Sequence, residues 1–331
     1  MAALDPAVAA VRHAVRRDLA GTAAGETVLV ACSGGADSLA LACAARFVAG
    51  RQGVHCGLVT VDHGLQDGSA DRAAGLVEWA GAEGFGPVIS VAVDVAGRAG
   101  GPEAAARDAR YGALVDVARA HAAAAVLLGH TRDDQAETVL LALARGAGPR
   151  GLAGMPARRV SHGVAFHRPL LDVSRDETRA ACEALGLKPW DDPHNADPRY
   201  ARARLRDALP ALVEILGPDV VANLARTARL VAADTAALDE QAGAVLAGAV
   251  DPDGALCLDR LSGVADAVRT RVLHAWARRL GAPGSALSYR HVEALDALVG
   301  QWHGQGPVAL PGGIEVTRRE GRLVPVDPRT A

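Results

Sequence analysis

The run Ser33-Gly34-Gly35-Ala36-Asp37-Ser38 combines residue types that suit a polyphosphate. Adjacent glycines let a backbone approach an anion closely, and the amides of a following helix would point at it. Ser33 and Ser38 can donate hydroxyls to phosphate oxygens. Asp37 would be repelled by phosphate unless a divalent cation stood between them, which points to Mg²⁺ with Asp37 as its ligand. The loop lacks the Gly-Lys-Ser/Thr of a Walker A sequence, so ordinary transfer of a terminal phosphate is disfavoured. A plain Gly-Gly turn with a serine cap is the alternative.

A second constellation is acidic. Asp133, Asp134 and Glu137 open a helical segment, and residues 134 and 137 fall on one face, a turn apart. Such a pair can hold an ammonium ion and accept its proton as the amine becomes nucleophilic. Acids in a first turn also complement the helix dipole, by roughly 0.3–1 kcal/mol each. Three of them, with Gln135, exceed what capping needs. Asp62 and His63 follow a strand, where the adenosine part of a nucleotide would lie; a capping Asp and a surface His fit equally. Arg107 and Arg110 stand one turn apart and can reach phosphate or form a solvated face. Arg168, ahead of Pro169, is a lesser candidate. Arg199, Arg202, Arg204 and Arg206 make a basic stretch that suits a nucleic-acid backbone, although such runs are ordinarily solvated.

The elements that must position these residues alternate. Helical spacing covers 5–20, and ETVLVAC (26–32) is a short apolar run ending in glycines, as a buried parallel strand would. Further strands are expected at 54–62, 87–95, 124–130 and 163–171, with helices after each of the first four and at 175–186. This is an α/β pattern, a parallel sheet with helices on both faces, and each motif falls just past a strand, where ligands of such sheets bind. From about 211 the chain becomes mainly helical and ends in short antiparallel strands. The expected division is a catalytic domain over 1–210 and a smaller C-terminal domain over 211–331. Trp276 and Trp302 are expected in the core of the latter.

Composition narrows the classes. Half of the 331 residues are hydrophobic and 22% are charged, a globular balance. A net charge of -3 leaves any nucleic-acid partner to local basic patches. Five cysteines stand apart without a C-x-x-C pair, against a disulfide scaffold or zinc ribbon, and Cys32 reads as a small buried hydrophobe. No signal peptide or membrane span is evident, so a cytoplasmic protein with no membrane partner is expected.

S-G-G-x-D-S after a hydrophobic strand resembles the PP-loop ATPases, adenine nucleotide alpha-hydrolase-like enzymes that cleave ATP between its alpha and beta phosphates. The resemblance narrows with VDHGL (61–65), RDARY (107–111), LGHTRDDQAETVLLALARGAGPRGLAGM (128–155), RPLL (168–171) and DDPHNADPRYARARLR (191–206). Together these look like the tRNA(Ile)-lysidine synthases. The resemblance implies a ligase that uses ATP and Mg²⁺. It would adenylate the wobble cytidine of tRNA(Ile) with a CAU anticodon, release pyrophosphate, and let L-lysine displace AMP to leave lysidine. It implies ATP contacts at residues 33–38 with Asp62 and His63, lysine binding by Asp133, Asp134 and Glu137, and tRNA binding by Arg199, Arg202, Arg204 and Arg206. Asp37, Asp134, Glu137, His130, Arg107 and Arg110 would be catalytic, the two arginines reaching phosphate or the adenylated base. The pattern departs from the family at Gln66, usually an arginine, and at Thr131, usually a second histidine; neither departure is expected to touch the acidic cluster. A cytidine thiolase of the same superfamily is the alternative, but those enzymes rely on cysteine pairs. A homodimer is left open.

Overall fold

The structure is a computed structural model that describes residues 4–64, 68–94, 102–191, 197–284 and 286–326, the side chains of 102–104 excepted. Gln66 and residues 192–196 of the basic motif lie outside the described residues. The chain forms two compact units, Met1–Val231 and Ala232–Ala331.

In the first unit, β1 (Thr27–Ala31), β2 (His55–Asp62), β3 (Val88–Ala92), β4 (Ala125–Leu128), β5 (Arg158–Ser161) and β6 (Val164–His167) form one sheet in the order β3-β2-β1-β4-β6-β5. All pairings are parallel except β5 on β6. The two-residue periodicity of the strands sorts their side chains into two cores. Val28, Val30, Leu58 and Leu127 pack with α1 (Pro6–Asp18), α2 (Ala36–Gln52) and α7 (Arg175–Ala184). Leu29, Val59, Val126 and Leu128 face the other way, onto Leu114, Val115 and Ala118 of α4 (Pro102–Ala120). Burial on both faces is why β1 and β4 are almost wholly apolar in sequence.

The remaining helices of this unit are α3 (Ser69–Ala82), α5 (Arg132–Ala144), α6 (Pro149–Leu152) and α8 (Ala201–Leu216). Pro210, where the sequence suggests a boundary, lies inside α8, and α9 (Val220–Ala249) runs across the division between the units. β5 is an addition to the expected strands, an edge hairpin with β6 through His162 and Gly163, both at positive φ as a tight hairpin turn requires.

The second unit contains α10 (Asp266–Arg279), α11 (Tyr289–Gly300) and a four-stranded antiparallel sheet. Its strands are β7 (Leu256–Cys257), β8 (Val308–Leu310), β9 (Ile314–Arg319) and β10 (Arg322–Pro325). Trp276 sits in this core, and its indole N–H reaches the Gly254 carbonyl at 2.9 Å. Trp302 does not belong to the core: it follows the end of α11, is 40% exposed, and packs beside the Arg318 guanidinium. Among the described residues no single helix is long and apolar enough to cross a membrane.

Candidate active site

The strand order reverses between β1 and β4, so the crevice beyond their carboxyl ends is the place where such a sheet binds ligands. Both main motifs stand there. Residues 33–38 link β1 to α2, and residues 129–137 link β4 to α5. Gly34 has φ +83, a left-handed conformation that a β-carbon disfavours. Gly35 is the N-cap of α2, and no side chain caps it, which leaves first-turn amides for an anion. Ser38 does not offer its hydroxyl outward as its type suggests. It is buried, donates to the Gly35 carbonyl at 2.9 Å and accepts from the Ser33 amide at 3.1 Å, so it shapes the loop. Ser33 is exposed, and its hydroxyl pairs with that of Ser38 at 3.3 Å.

The two motifs touch through Gly129. A β-carbon there would lie 3.1 Å from the Asp37 carbonyl oxygen and 3.2 Å from Ser38 Cα, so its absence lets β4 press against the first turn of α2. This approach sets Asp37 beside the acids of α5. Thr131 caps α5, donating from its amide (2.8 Å) and hydroxyl (3.0 Å) to Asp134 Oδ2. The expectation that the Thr131 departure would not touch the acidic cluster is therefore wrong. A threonine hydroxyl one turn before Asp134 makes a reciprocal cap that fixes the carboxylate's orientation.

Arg175, at the first position of α7, binds all these acids together. Its backbone amide donates to Asp133 Oδ2 at 2.8 Å, and its Nη2 lies 3.0 Å from Asp134 Oδ1 and 3.1 Å from Glu137 Oε1. Its Nε is 3.9 Å from Asp37 Oδ2, while the Thr178 hydroxyl hydrogen-bonds Asp37 Oδ1. Burial, aided by Asp134 and Asp133, pushes the Asp37 pKa up to about 6, against the lowering influence of Thr178 and Arg175. Burial also opposes ionisation of Asp134, but Arg175, the Thr131 amide, His130 and Arg206 together hold its pKa below the usual range. Glu137 is fully buried.

A cationic zone adjoins the acids. Arg107 and Arg110 flank the Tyr111 ring, at 5.2 and 5.8 Å from its centroid. Arg168 is buried, donating to the Pro156 carbonyl at 2.8 Å and the Tyr111 hydroxyl at 3.2 Å. Buried ring or guanidinium nitrogens of His63, Arg110, His130 and Arg168 have no hydrogen-bond partner. Burial lowers the Arg110 pKa, and Arg107, Arg202 and Arg168 lower it further. Burial also drops His130 to about 3, with Asp134 opposing and Arg168, Arg110 and Arg107 reinforcing the fall. His130 is thus neutral at pH 7 and can accept a hydrogen bond, but it neither takes up a proton readily nor supplies a charge. His63 is lowered by burial and by Arg110, against Asp62. Asp62 turns back on its own loop, accepting from the Gly64 amide at 2.9 Å. Crowded cations with unsatisfied nitrogens suit a bound polyanion.

The basic stretch divides. Arg199 is exposed and paired with Asp197 at 2.6 Å, and Arg204 binds the Pro198 and Arg199 carbonyls. Arg202 instead reaches Thr138 at 3.5 Å, and Arg206 reaches Glu137 at 2.7 Å, so both turn toward α5. Arg175, Thr178 and Thr131 are site residues that motif reading missed. The signal for Arg175 is indirect: Ser174 and Glu177 form a capping box that fixes Arg175 at a helix start.

Burial raises the thiol pKa values, to about 11 for Cys43 and about 12 for Cys56 and Cys182, with Cys32 also raised. Such thiols stay protonated and are poor nucleophiles. Among the described residues no group of three or more His, Cys, Asp or Glu could hold a metal by itself. Asp37 nonetheless fits Mg²⁺, which takes one or two carboxylates and completes its shell with water and substrate phosphate. The neighbouring acids that raise the pKa of Asp37 leave the same position favourable for an added cation.

The PP-loop domain family matches residues 8–212, and the TilS substrate binding domain matches residues 256–324. A tRNA(Ile)-lysidine synthase of Salinispora arenicola is 66% identical, covering 99% of each chain. One from Salinispora tropica is 67% identical at the same coverage, and one from Streptomyces coelicolor 52% identical over 96% of this chain and 98% of its own. Among solved structures, the U34-tRNA thiolase NcsA from Methanococcus maripaludis, with its 4Fe–4S cluster, has a TM-score of 0.57 at 20% identity. It covers 68% of this chain and 78% of that one, a likeness of fold. With relatives of this identity matched from end to end, the chain belongs to the tRNA(Ile)-lysidine synthase family.

Proposed function

We propose that the enzyme forms lysidine at the wobble cytidine of tRNA(Ile) with a CAU anticodon, using ATP, Mg²⁺ and L-lysine. The observation that carries this is the meeting of an anion loop and a buried acid pair across one switch point, joined at Gly129. The first-turn amides of α2 and Ser33 hold ATP phosphates, with Asp62 and His63 toward the adenosine. Bound Mg²⁺ at Asp37 would neutralise phosphate charge. The cytidine oxygen attacks the alpha phosphorus, and the bond to pyrophosphate breaks. Arg107 and Arg110 stabilise charge on the phosphates and the adenylated base, and neutral His130 accepts hydrogen bonds beside them.

In the second step the side-chain amine of lysine loses a proton, attacks the ring carbon and expels AMP. Asp134 and Glu137, with Asp133 beside them, receive the ammonium and orient it. Catalysis is assigned to residues 1–210 and a supporting role on tRNA to 211–331, in line with the two family matches. Arg199, Arg202, Arg204 and Arg206 are assigned to the RNA backbone. The same reading makes the enzyme cytoplasmic, as a monomer or homodimer. Cys32, Cys43, Cys56 and Cys182, whose thiols burial holds protonated, favour this chemistry over sulfur transfer.

The test is incorporation of labelled lysine into isoleucine tRNA bearing CAU, with methionine tRNA of the same anticodon as control. Labelling of the isoleucine tRNA alone is expected. Glu137→Gln and Asp134→Asn should keep ATP binding and lose labelling. Pyrophosphate release without any lysine label would retain ATP cleavage and discard lysidine formation.

A further inference from the structure

The acid pair assigned to lysine is already filled. Asp134 Oδ1 accepts from Nη2 of Arg175 at 3.0 Å and from Nη2 of Arg206 at 3.1 Å, while Oδ2 is held by Thr131. Glu137 Oε1 accepts from Arg175 Nη2 at 3.1 Å and Arg206 Nε at 2.7 Å, and Oε2 from Arg206 Nη2 at 3.2 Å. Two buried carboxylates thus face two guanidiniums. A lysine ammonium cannot reach both acids while both arginines stay, because an added cation would crowd like charges and find few open acceptor sites.

The arginines are not equally fixed. Arg175 begins α7, its amide is tied to Asp133, its carbonyl lies 2.8 Å from the Thr178 hydroxyl, and its side chain is 18% exposed. Arg206 comes from the middle of α8, is 28% exposed, and α8 has one buried residue, Ala203. A helix with so little buried area is among the elements most readily displaced.

Resting on the lysine assignment above, we infer that Arg206 is a displaceable stand-in for the lysine ammonium and is shared between the two substrates. Without lysine it neutralises Asp134 and Glu137, which would be costly to leave buried and unpaired. When lysine takes the acids, Arg206 is released from α5 and becomes a free cation for RNA phosphate, one turn along α8 from Arg202. Lysine and tRNA then bind with positive coupling, and linkage requires the effect to be reciprocal.

Lysine binding by the full chain, measured calorimetrically with and without unmodified isoleucine tRNA and without ATP, tests this. In the wild type, tRNA should tighten lysine binding about tenfold, inside the range typical of coupled sites, and lysine should tighten tRNA binding equally. Arg206→Met should bind lysine more tightly than wild type without tRNA and lose the coupling. Arg206→Lys, which keeps a cation with fewer fixed donors, should show a smaller gain and carries the test if the methionine variant does not fold. Weaker lysine binding by the folded variants, or wild-type lysine affinity indifferent to tRNA, overturns the inference. Glu137→Gln separates the two levels. Wild-type binding that is lost in Glu137→Gln but uncoupled from tRNA removes only the stand-in role. Binding unchanged in Glu137→Gln removes the lysine assignment as well.

Discussion

Replacing Asp37 by asparagine should make the protein more stable while abolishing its reaction. The Asp37 pKa rises from 3.8 to about 6 on folding, so the folded chain holds that proton more tightly than the unfolded chain does. Ionised Asp37 therefore opposes folding. The opposition is complete above pH about 6 and fades as pH falls from there toward 3.8. At 1.36 kcal/mol per unit, a shift of this size corresponds to ~3 kcal/mol at pH 8 and roughly half that at pH 5. Asparagine keeps an oxygen for the Thr178 hydroxyl but turns an amide toward Arg175, so the observed gain should be ~1–3 kcal/mol. Urea unfolding of both proteins at pH 8 and pH 5, without nucleotide, reads the difference directly, since all other titrating groups are common to the pair. Magnesium-dependent pyrophosphate release should be lost in the same variant. A variant no more stable than wild type at pH 8, or a gap that does not shrink at pH 5, would refute the account of Asp37 as a charge held in reserve for a cation.

Two further substitutions probe the scaffold. Gly129→Ala should push β4 and the first turn of α2 apart by a few tenths of an ångström, since the contacts are with backbone atoms at 3.1–3.2 Å. A loss of ~1–3 kcal/mol and a raised KM for ATP are expected. A normal KM for ATP would mean that the loop does not depend on this approach. Thr131→Val should remove the hydroxyl at 3.0 Å from Asp134 and lower stability by ~1 kcal/mol. It should raise the KM for lysine more than that for ATP, with Thr131→Ser restoring both. An unchanged lysine KM would leave the orientation of Asp134 to the arginines and the backbone amide of residue 131.

The legible parts of the structure are those with strong local signals. β1 and β4 stand out because burial on both faces leaves them almost wholly apolar, and each hands the chain to a motif at its carboxyl end. β5 was not legible, because an exposed edge strand that begins Arg158-Arg159 has neither an apolar run nor alternation. Asp134 and Glu137 could be found by helical spacing, but Arg175 and Thr178 could not. They reach the acids and Asp37 from a helix about 40 to 140 residues away in sequence, and only the fold brings α7 there. The basic stretch was legible as charge and misleading as a surface. Four arginines read alike in sequence, yet two bind their own loop and two turn toward α5. Helix phase explains it: Arg202 and Arg206 are four residues apart and share a face, while Arg204 falls on the other side.

The proposed reaction makes opposite electrostatic demands on one crevice. Its first step brings a highly charged triphosphate to the end of β1, where bare carboxylates on α5 would repel it. At an effective dielectric near 20, two like charges about 4 Å apart repel by roughly 4 kcal/mol. Its second step needs the same carboxylates free to hold a cationic amine. Arg175 and Arg206 reconcile the two, because they neutralise Asp134 and Glu137 from positions that differ in how firmly they are held. Arg175 is anchored and keeps the acids from being stripped of all counter-charge. Arg206 can leave, and its departure changes the acid pair from a screened neighbour of ATP into a seat for lysine. On this reasoning the order of the two steps is written into the charges: the acids are masked while phosphate is handled and unmasked by the substrate that needs them.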